Sequence, residues 1–276
     1  MVSGCEDPVE VGWRRRAELG SLLLQCRSRL TRADAEGRDR GLRQRDVAEL
    51  VGISVRYYAA LERGEASPSG ALVEAVAAAL HMERAQRSAL HVLALGHDPV
   101  LPMPEASQSH DRPPVPAVLR QLVRHLDPTP AAIVDEMWTV LAANTALSRC
   151  IGCYADQVPP DEQNLILWLF SPEAEQVLTD IRRERRAAIA GLRYAYVRHI
   201  ASPRFAMLIS RLLATGPEAR EIWERHEIEI PRRTTSHRIR RADGRTAEVD
   251  VVHSALSHRL SLLIAMPRDD TGQNDP

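Results

Sequence analysis

The sequence predicts a mainly α chain with an α+β second domain: an N-terminal bundle of five helices, then a domain of helices and an antiparallel sheet. Three observations carry this. Up to residue 96 the apolar residues recur with the 3.6-residue period of one-sided helices. Between residues 97 and 116 six prolines interrupt any regular element. Beyond them, strand-like runs stand before and after long helical ones, the order of an α+β domain.

In the first part, Leu19, Leu22, Leu23, Cys26 and Leu30 mark one face of a first helix. Residues 44–51 and 54–63 form two short helices, Leu72, Val73, Val76 and Leu80 a fourth, and Leu90, Leu93 and Leu95 a fifth. The expected domain is 12–96, followed by a proline-rich linker at 97–114. The second domain is expected over 115–268. There "AAIVDEMWTVLAAN" (131–144) reads as two strands in a hairpin near Glu136. Helical stretches are expected at 144–150 and 164–170, a longer helical region from 172 to about 213, and another at 217–226. Three strands follow, with a turn at Asp243-Gly244. The polar tail 269–276 is expected to be disordered.

Within "VAELVGISVRYYAALERG" (47–64) the helical pattern breaks at Gly52-Ile53-Ser54 and restarts at once. Two helices crossing steeply need a small residue at closest approach, here Ala48. The first must end with φ > 0, which Gly52 tolerates. The second needs an N-cap oxygen, which Ser54 supplies. Val47, Val51, Ile53, Tyr58 and Leu61 fall on the inner face. Counting Gln44 as position 1, Ala48 is fifth, Gly52 ninth, Tyr58 fifteenth and Leu61 eighteenth, the spacing of a helix-turn-helix that presents its second helix to a DNA major groove.

Composition sets bounds. The chain has 276 residues, 44% hydrophobic and 26% charged, with a net charge of −1. It lacks an apolar run of membrane-spanning length and the basic-then-apolar order of a secretory signal, so a cytoplasmic location is expected. All 36 basic residues are arginine. Residues 12–64 contain 12 arginines against seven acidic residues, and Arg14, Arg15, Arg16, Arg43 and Arg63 are the expected phosphate neighbours. The Arg14–Arg16 run can also be read as a flexible arm, and any of these arginines as part of a solvated face.

"LRQRDVAELVGISVRYYAALERG" resembles the lambda-repressor-like helix-turn-helix of the XRE family, over roughly residues 16–95. The resemblance implies five helices and a DNA-binding role. It places Gln44 on a phosphate, Val55, Arg56 and Ala60 on bases, and Ser54 and Tyr57 on the backbone. Arg56 is the strong base reader, suited to O6 and N7 of guanine. Ser67 and Ser69, in "GEASPS", are expected to donate hydroxyls to the backbone. One strong reader per helix gives little specificity, so a homodimer on an inverted-repeat operator in double-stranded DNA is expected.

Further stretches resemble the MmyB-like transcription regulators, whose ligand-binding domain is PAS-like: "DPTPAAIVDEMWTVLAAN" (127–144), "NLILWLFSPE" (164–173), "AAIAGLR" (187–193) and "GPEAREIWERHEI" (216–228). The resemblance implies an apolar cavity and a small hydrophobic, fatty-acid-like effector. Ala219 replaces the family's usual aromatic, and the strand at His237 lacks its usual proline. The candidate ligand residues are Trp138, Asn144, Asn164, Trp168, Arg193, Phe205, Trp223 and His226. Each has a structural alternative: aromatics fill cores, and Asn144 and Asn164 stand where asparagine caps helices. The second domain can also be read as a protein-interaction module.

"CIGC" (Cys150–Cys153) raises a redox or metal reading. It is expected to end a helix rather than begin one, and no second ligand pair accompanies it. No phosphate-binding glycine loop, nucleophile elbow or HExxH motif is present, so neither an enzyme nor a cofactor is expected.

Overall fold

The computed structural model describes residues 8–33, 39–100, 112–152, 158–159, 162–241, 244–257 and 259–268. The expected tail, the central linker (101–111), Cys153 and Asp243 lie outside them. The chain forms two compact units. One comprises Met1–His110, Ala190–Ile209 and Arg220–Ile230; the other comprises Asp111–Ile189, Ser210–Ala219 and Pro231–Pro276. Two segments of the second half, Ala190–Ile209 and Arg220–Ile230, belong by their contacts to the first unit.

The first unit contains the five helices of the bundle: α1 (Pro8–Ser28), α2 (Gln44–Val51), α3 (Val55–Glu62), α4 (Gly70–Ala79) and α5 (Arg84–Leu95). Leu19, Leu22, Leu23 and Cys26 of α1 are buried, as are Val47, Ala48, Tyr58, Leu61, Val73, Val76 and Leu90. Each large apolar side chain so buried contributes about 1.5–3 kcal/mol. The Arg14–Arg16 run is helical, part of α1, which corrects the flexible-arm alternative. Gly20 lets α1 approach α3 closely, since a Cβ there would lie 2.2 Å from the Glu62 carbonyl oxygen.

A hairpin not expected from the sequence, β1 (Thr31–Ala33) with β2 (Asp39–Gly41), precedes α2. Its three-residue strands are too short and too charged to show apolar alternation. Its base is fixed by Leu42 N donating to Leu30 O at 3.0 Å, and by Arg40 donating to both carboxylate oxygens of Asp46 at 2.7 and 3.0 Å.

In the second unit, helix α6 (Ala117–His125) precedes strands β3 (Ala131–Val134) and β4 (Val140–Ala143), then α7 (Thr145–Ile151) and α8 (Leu165–Trp168). Helix α9 (Pro172–Val177) follows. Helices α10 (Ile181–Arg198), α11 (Pro203–Ala214) and α12 (Pro217–Glu224) each contribute residues to both units. Strands β5 (Thr234–Arg240), β6 (Thr246–Ala255) and β7 (Ser261–Pro267) complete an antiparallel sheet of order β4-β3-β7-β6-β5. The second half thus contributes a five-stranded antiparallel sheet with helices, as the sequence predicts.

Strand β3 is buried on both faces. Ala131 and Ile133 pack with Val123 of α6 and with Leu260 and Leu262, while Ala132 and Val134 pack with Val140, Leu263, Trp138, Leu147 and Leu165. The hairpin turn falls at residues 136–137 as expected. The helical region expected over 172–213 is divided into three helices. Leu178 leaves the helix to bridge Ile239, and Thr179 N donates to Arg238 O at 3.0 Å, so the sheet edge takes the backbone groups a helix would use. The second break precedes Pro203, whose missing N–H suits a first helical turn.

Candidate nucleic-acid interface and ligand-binding segment

The turn between α2 and α3 has the predicted chemistry. Gly52 adopts φ 74°, its N–H donates to Glu49 O at 3.2 Å, and Ile53 N donates to Ala48 O at 3.0 Å. This pair of bonds closes a helix on a left-handed residue. Ser54 Oγ then accepts from Tyr57 N at 3.1 Å, starting α3. That bond uses a lone pair and leaves the hydroxyl proton for another acceptor. Ser69 does the same for α4, accepting from Leu72 N at 3.3 Å.

On α3, Val55 and Arg56 are exposed, and Ala60 is half-buried. Arg56 makes no ion pair or hydrogen bond among the described residues, so its guanidinium faces solvent. Tyr57 is half-buried, with its hydroxyl donating to Ser67 O at 3.3 Å, which ties α3 to the loop before α4. Arg43 and Arg63 are exposed; Arg43 precedes α2, and Arg63 pairs with Glu65 at 2.8 Å. Gln44 differs from expectation, because its Nε2 donates to Glu62 Oε2 at 2.6 Å. In this arrangement its amide braces α2 against α3, and one N–H remains for an outside acceptor.

Nothing in the local sequence pattern singles out Glu62. It also accepts from Arg27 Nε at 2.7 Å, so α1, α2 and α3 meet on one carboxylate. Burial, and next the charge of Glu62, push the Tyr58 phenol above its ordinary range. Gly64 has φ 67°, and a Cβ there would lie 2.5 Å from Arg16 Cβ, so the glycine both turns the chain and admits α1.

The eight candidate ligand residues fall in both units. Trp138, Asn144, Asn164 and Trp168 belong to the second unit; Arg193, Phe205, Trp223 and His226 belong to the first. Asn144 Oδ1 accepts from Ala131 N and Leu147 N at 3.1 and 3.0 Å, and its Nδ2 donates to Thr129 O at 2.7 Å. Asn164 similarly accepts from Ile166 N and Leu167 N and donates to Met137 O. Both cap helices, the structural alternative to a ligand contact. Trp168 Nε1 donates to Ile151 O at 3.2 Å. Trp138, with φ 64°, stacks on His253 at 5.3 Å between centroids, and burial lowers the His253 pKa, favouring the neutral ring.

In the first unit, Arg193 is wholly buried. It donates to Glu18 Oε2 at 2.6 Å and to Trp223 O, and its guanidinium lies 3.8 Å over the Trp223 ring. His226 Nδ1 stands 3.8 Å from the same Glu18 oxygen. Burial pushes the Glu18 carboxyl up, but the neighbouring His226 and the charge of Arg193 outweigh it and hold it below the usual range. Phe205 is buried and stacks on His199 at 5.2 Å. These four residues therefore serve packing and ion pairing within the unit that contains the bundle.

Cys150 lies one residue before the end of α7, and partial desolvation raises its thiol pKa, the opposite of an activated thiolate. Among the described residues, no group of three or more His, Cys, Asp or Glu is arranged to hold a metal ion. No described helix is long and apolar enough to cross a membrane.

Residues 36–85 match the model of the helix-turn-helix family, and residues 115–274 match that of the MmyB-like transcription regulator ligand binding domain. A search of curated proteins returned no match. Fold and matches together define a DNA-binding transcription regulator with a ligand-binding domain. The ligand-binding match spans more than half of the sequence, and the chain belongs to the MmyB-like transcription regulators.

Proposed function

We propose that the chain binds duplex DNA sequence-specifically, as a cytoplasmic homodimer on an inverted repeat, and that its second domain takes up a small hydrophobic effector. One observation carries the DNA reading. Arg56 stands solvent-facing and unpaired on α3, while Gly52, Ser54 and Glu62 fix that helix against its neighbours. A guanidinium so placed matches O6 and N7 of a guanine. Val55 and Ala60 add apolar contact. Arg43, Ser54, Tyr57, Arg63, Ser67 and Ser69 are the proposed backbone contacts, together with the remaining amide N–H of Gln44. With a single strong reader, phosphate contacts and duplex shape supply much of the affinity.

Binding-site selection on the full chain and on Arg56→Ala tests this. The variant should lose base preference at one position of each half-site, at a cost of roughly 1–3 kcal/mol for a good bidentate contact. An identical consensus from both proteins would remove Arg56 as the reader.

The hydrophobic-effector reading is supported by the apolar residues around β3 and the neutral His253–Trp138 stack. Mass spectrometry of an organic extract of the purified protein tests it, and an extract with no stoichiometric lipid or other apolar small molecule counts against it. The proposed role needs no catalysis and no cofactor.

A further inference from the structure

Two segments from the ligand-binding stretch are packed within the unit that contains the DNA-binding bundle, and a buried charge joins them to it. Arg193 of α10 has no exposed side-chain surface, yet its charge is met by one carboxylate, Glu18 on α1, at 2.6 Å. The two residues are 175 positions apart in sequence. Around this pair, Trp223 covers the guanidinium at 3.8 Å, and His226 approaches Glu18 at 3.8 Å. Gln25, also on α1, donates to Arg225 O. At the far end of the bundle Arg198 stands 3.6 Å from Asp98, and Tyr194 lies 3.5 Å from Ser88 of α5.

From Glu18 the contacts continue toward DNA. Two residues further along α1, Gly20 abuts the carbonyl of Glu62 at the end of α3, with no room for a Cβ. Arg27, on the same helix, holds the Glu62 side chain at 2.7 Å. Gly64, just past α3, closes on Arg16 of α1. The end of α3 is thus held on α1 by two close glycine contacts and one ion pair, and a shift of α1 would be felt there.

We propose that Glu18 and Arg193 are positioning residues for the recognition helix, forming the joint through which the ligand-binding segment sets DNA affinity. They act through α1 and Glu62 and touch no base or phosphate. Breaking the pair shifts affinity for all sites alike, because it changes how α3 is held and not what it reads. This rests on the DNA-binding reading above, and it adds the residues through which binding is regulated.

The test uses the full chain and a duplex selected by the wild-type protein from random sequence. Glu18→Gln keeps the shape of the side chain and removes its charge; Arg193→Lys keeps the charge and removes the fork. Dissociation constants are measured per active molecule, after stoichiometric titration, so that a partly unfolded preparation does not count as weakened binding. Each variant should shift the constant at least fivefold in the same direction, with the double variant no further than the larger single one. The consensus and the dependence of log K on log salt should stay as in wild type, since no base or phosphate contact is lost. Arg211→Ala, in the exposed pair with Glu162, should leave the constant unchanged. Single-variant constants within twofold of wild type overturn the proposal while leaving the DNA reading intact; so do additive effects or a changed consensus. If the wild-type protein selects no duplex, the DNA reading itself falls, and this proposal with it.

Discussion

The Arg27 guanidinium grips the carboxylate of Glu62, with Nε 2.7 Å from Oε1 and Nη2 3.3 Å from Oε2, and Gln44 shares the second oxygen at 2.6 Å. Hydrogen bonding to Glu62 raises the Arg27 pKa further. One side chain at the end of the recognition helix thereby fixes the two helices that flank it.

Glu62→Ala should therefore lower stability by about 1–3 kcal/mol, the penalty for leaving partly buried polar groups without partners. Urea unfolding should show a lower midpoint at unchanged slope. DNA affinity should fall for every sequence alike. A variant with wild-type midpoint would show that Arg27 and Gln44 find other partners at no cost.

Gly20→Ala and Gly12→Ala should have opposite signs although both lie in α1. At Gly20 the new methyl meets the Glu62 carbonyl oxygen at 2.2 Å, and the overpacking should cost about 1–3 kcal/mol. At Gly12 nothing lies within 4 Å, so the helix preference of alanine should stabilise by about 0.5–1 kcal/mol. Thermal unfolding of the two proteins decides; equal effects would mean that the α1–α3 approach is looser than described.

Acid should weaken the bundle through Asp46. The hydrogen bonds from Arg40 hold its carboxyl far below the ordinary value; burial opposes them, and the bond from Arg43 N adds to the lowering. A carboxylate with a depressed folded-state pKa stabilises above its unfolded value, and that contribution is lost as pH falls through the folded one. Stability should thus decline from about pH 4 downward, and Asp46→Asn should be less stable at neutral pH with a flatter acid profile. Parallel profiles for the two proteins would rule out Asp46 as a source of the acid sensitivity.

Asn144→Ala should lower the melting temperature, because the buried N–H of Ala131 and the N–H of Leu147 both lose their acceptor. Each orphaned group costs about 1–3 kcal/mol. Asn144→Asp should not rescue, since it sets a second oxygen against Thr129 O where Nδ2 now donates. Unchanged melting with altered uptake of an apolar molecule would return Asn144 to the ligand site.

The break at Gly52-Ile53-Ser54 was legible because its causes are local. A left-handed residue, an N-cap oxygen and a small residue at the crossing are demands of neighbouring backbone, and each names its residue type. The same locality made Asn144 and Asn164 recognisable as possible caps. The hairpin β1–β2 was not legible, since its strands have no apolar period and its anchor, Arg40 on Asp46, is a side-chain contact. The interrupted helix over 172–213 was hidden for a related reason: its first break is made by the bridge of Leu178 to Ile239.

By itself the sequence determined the helix-turn-helix, the α+β character of the second half and the exposed position of Arg56, all set by steps of a few residues along the chain. Only the tertiary structure decided that Arg193 meets Glu18, that Glu62 gathers Arg27 and Gln44, and that the candidate ligand residues divide between two units. Backbone sterics and amphipathic period act between neighbours. The partner of a buried charge, by contrast, is chosen by which helices pack together, and no residue within reach along the chain records that choice.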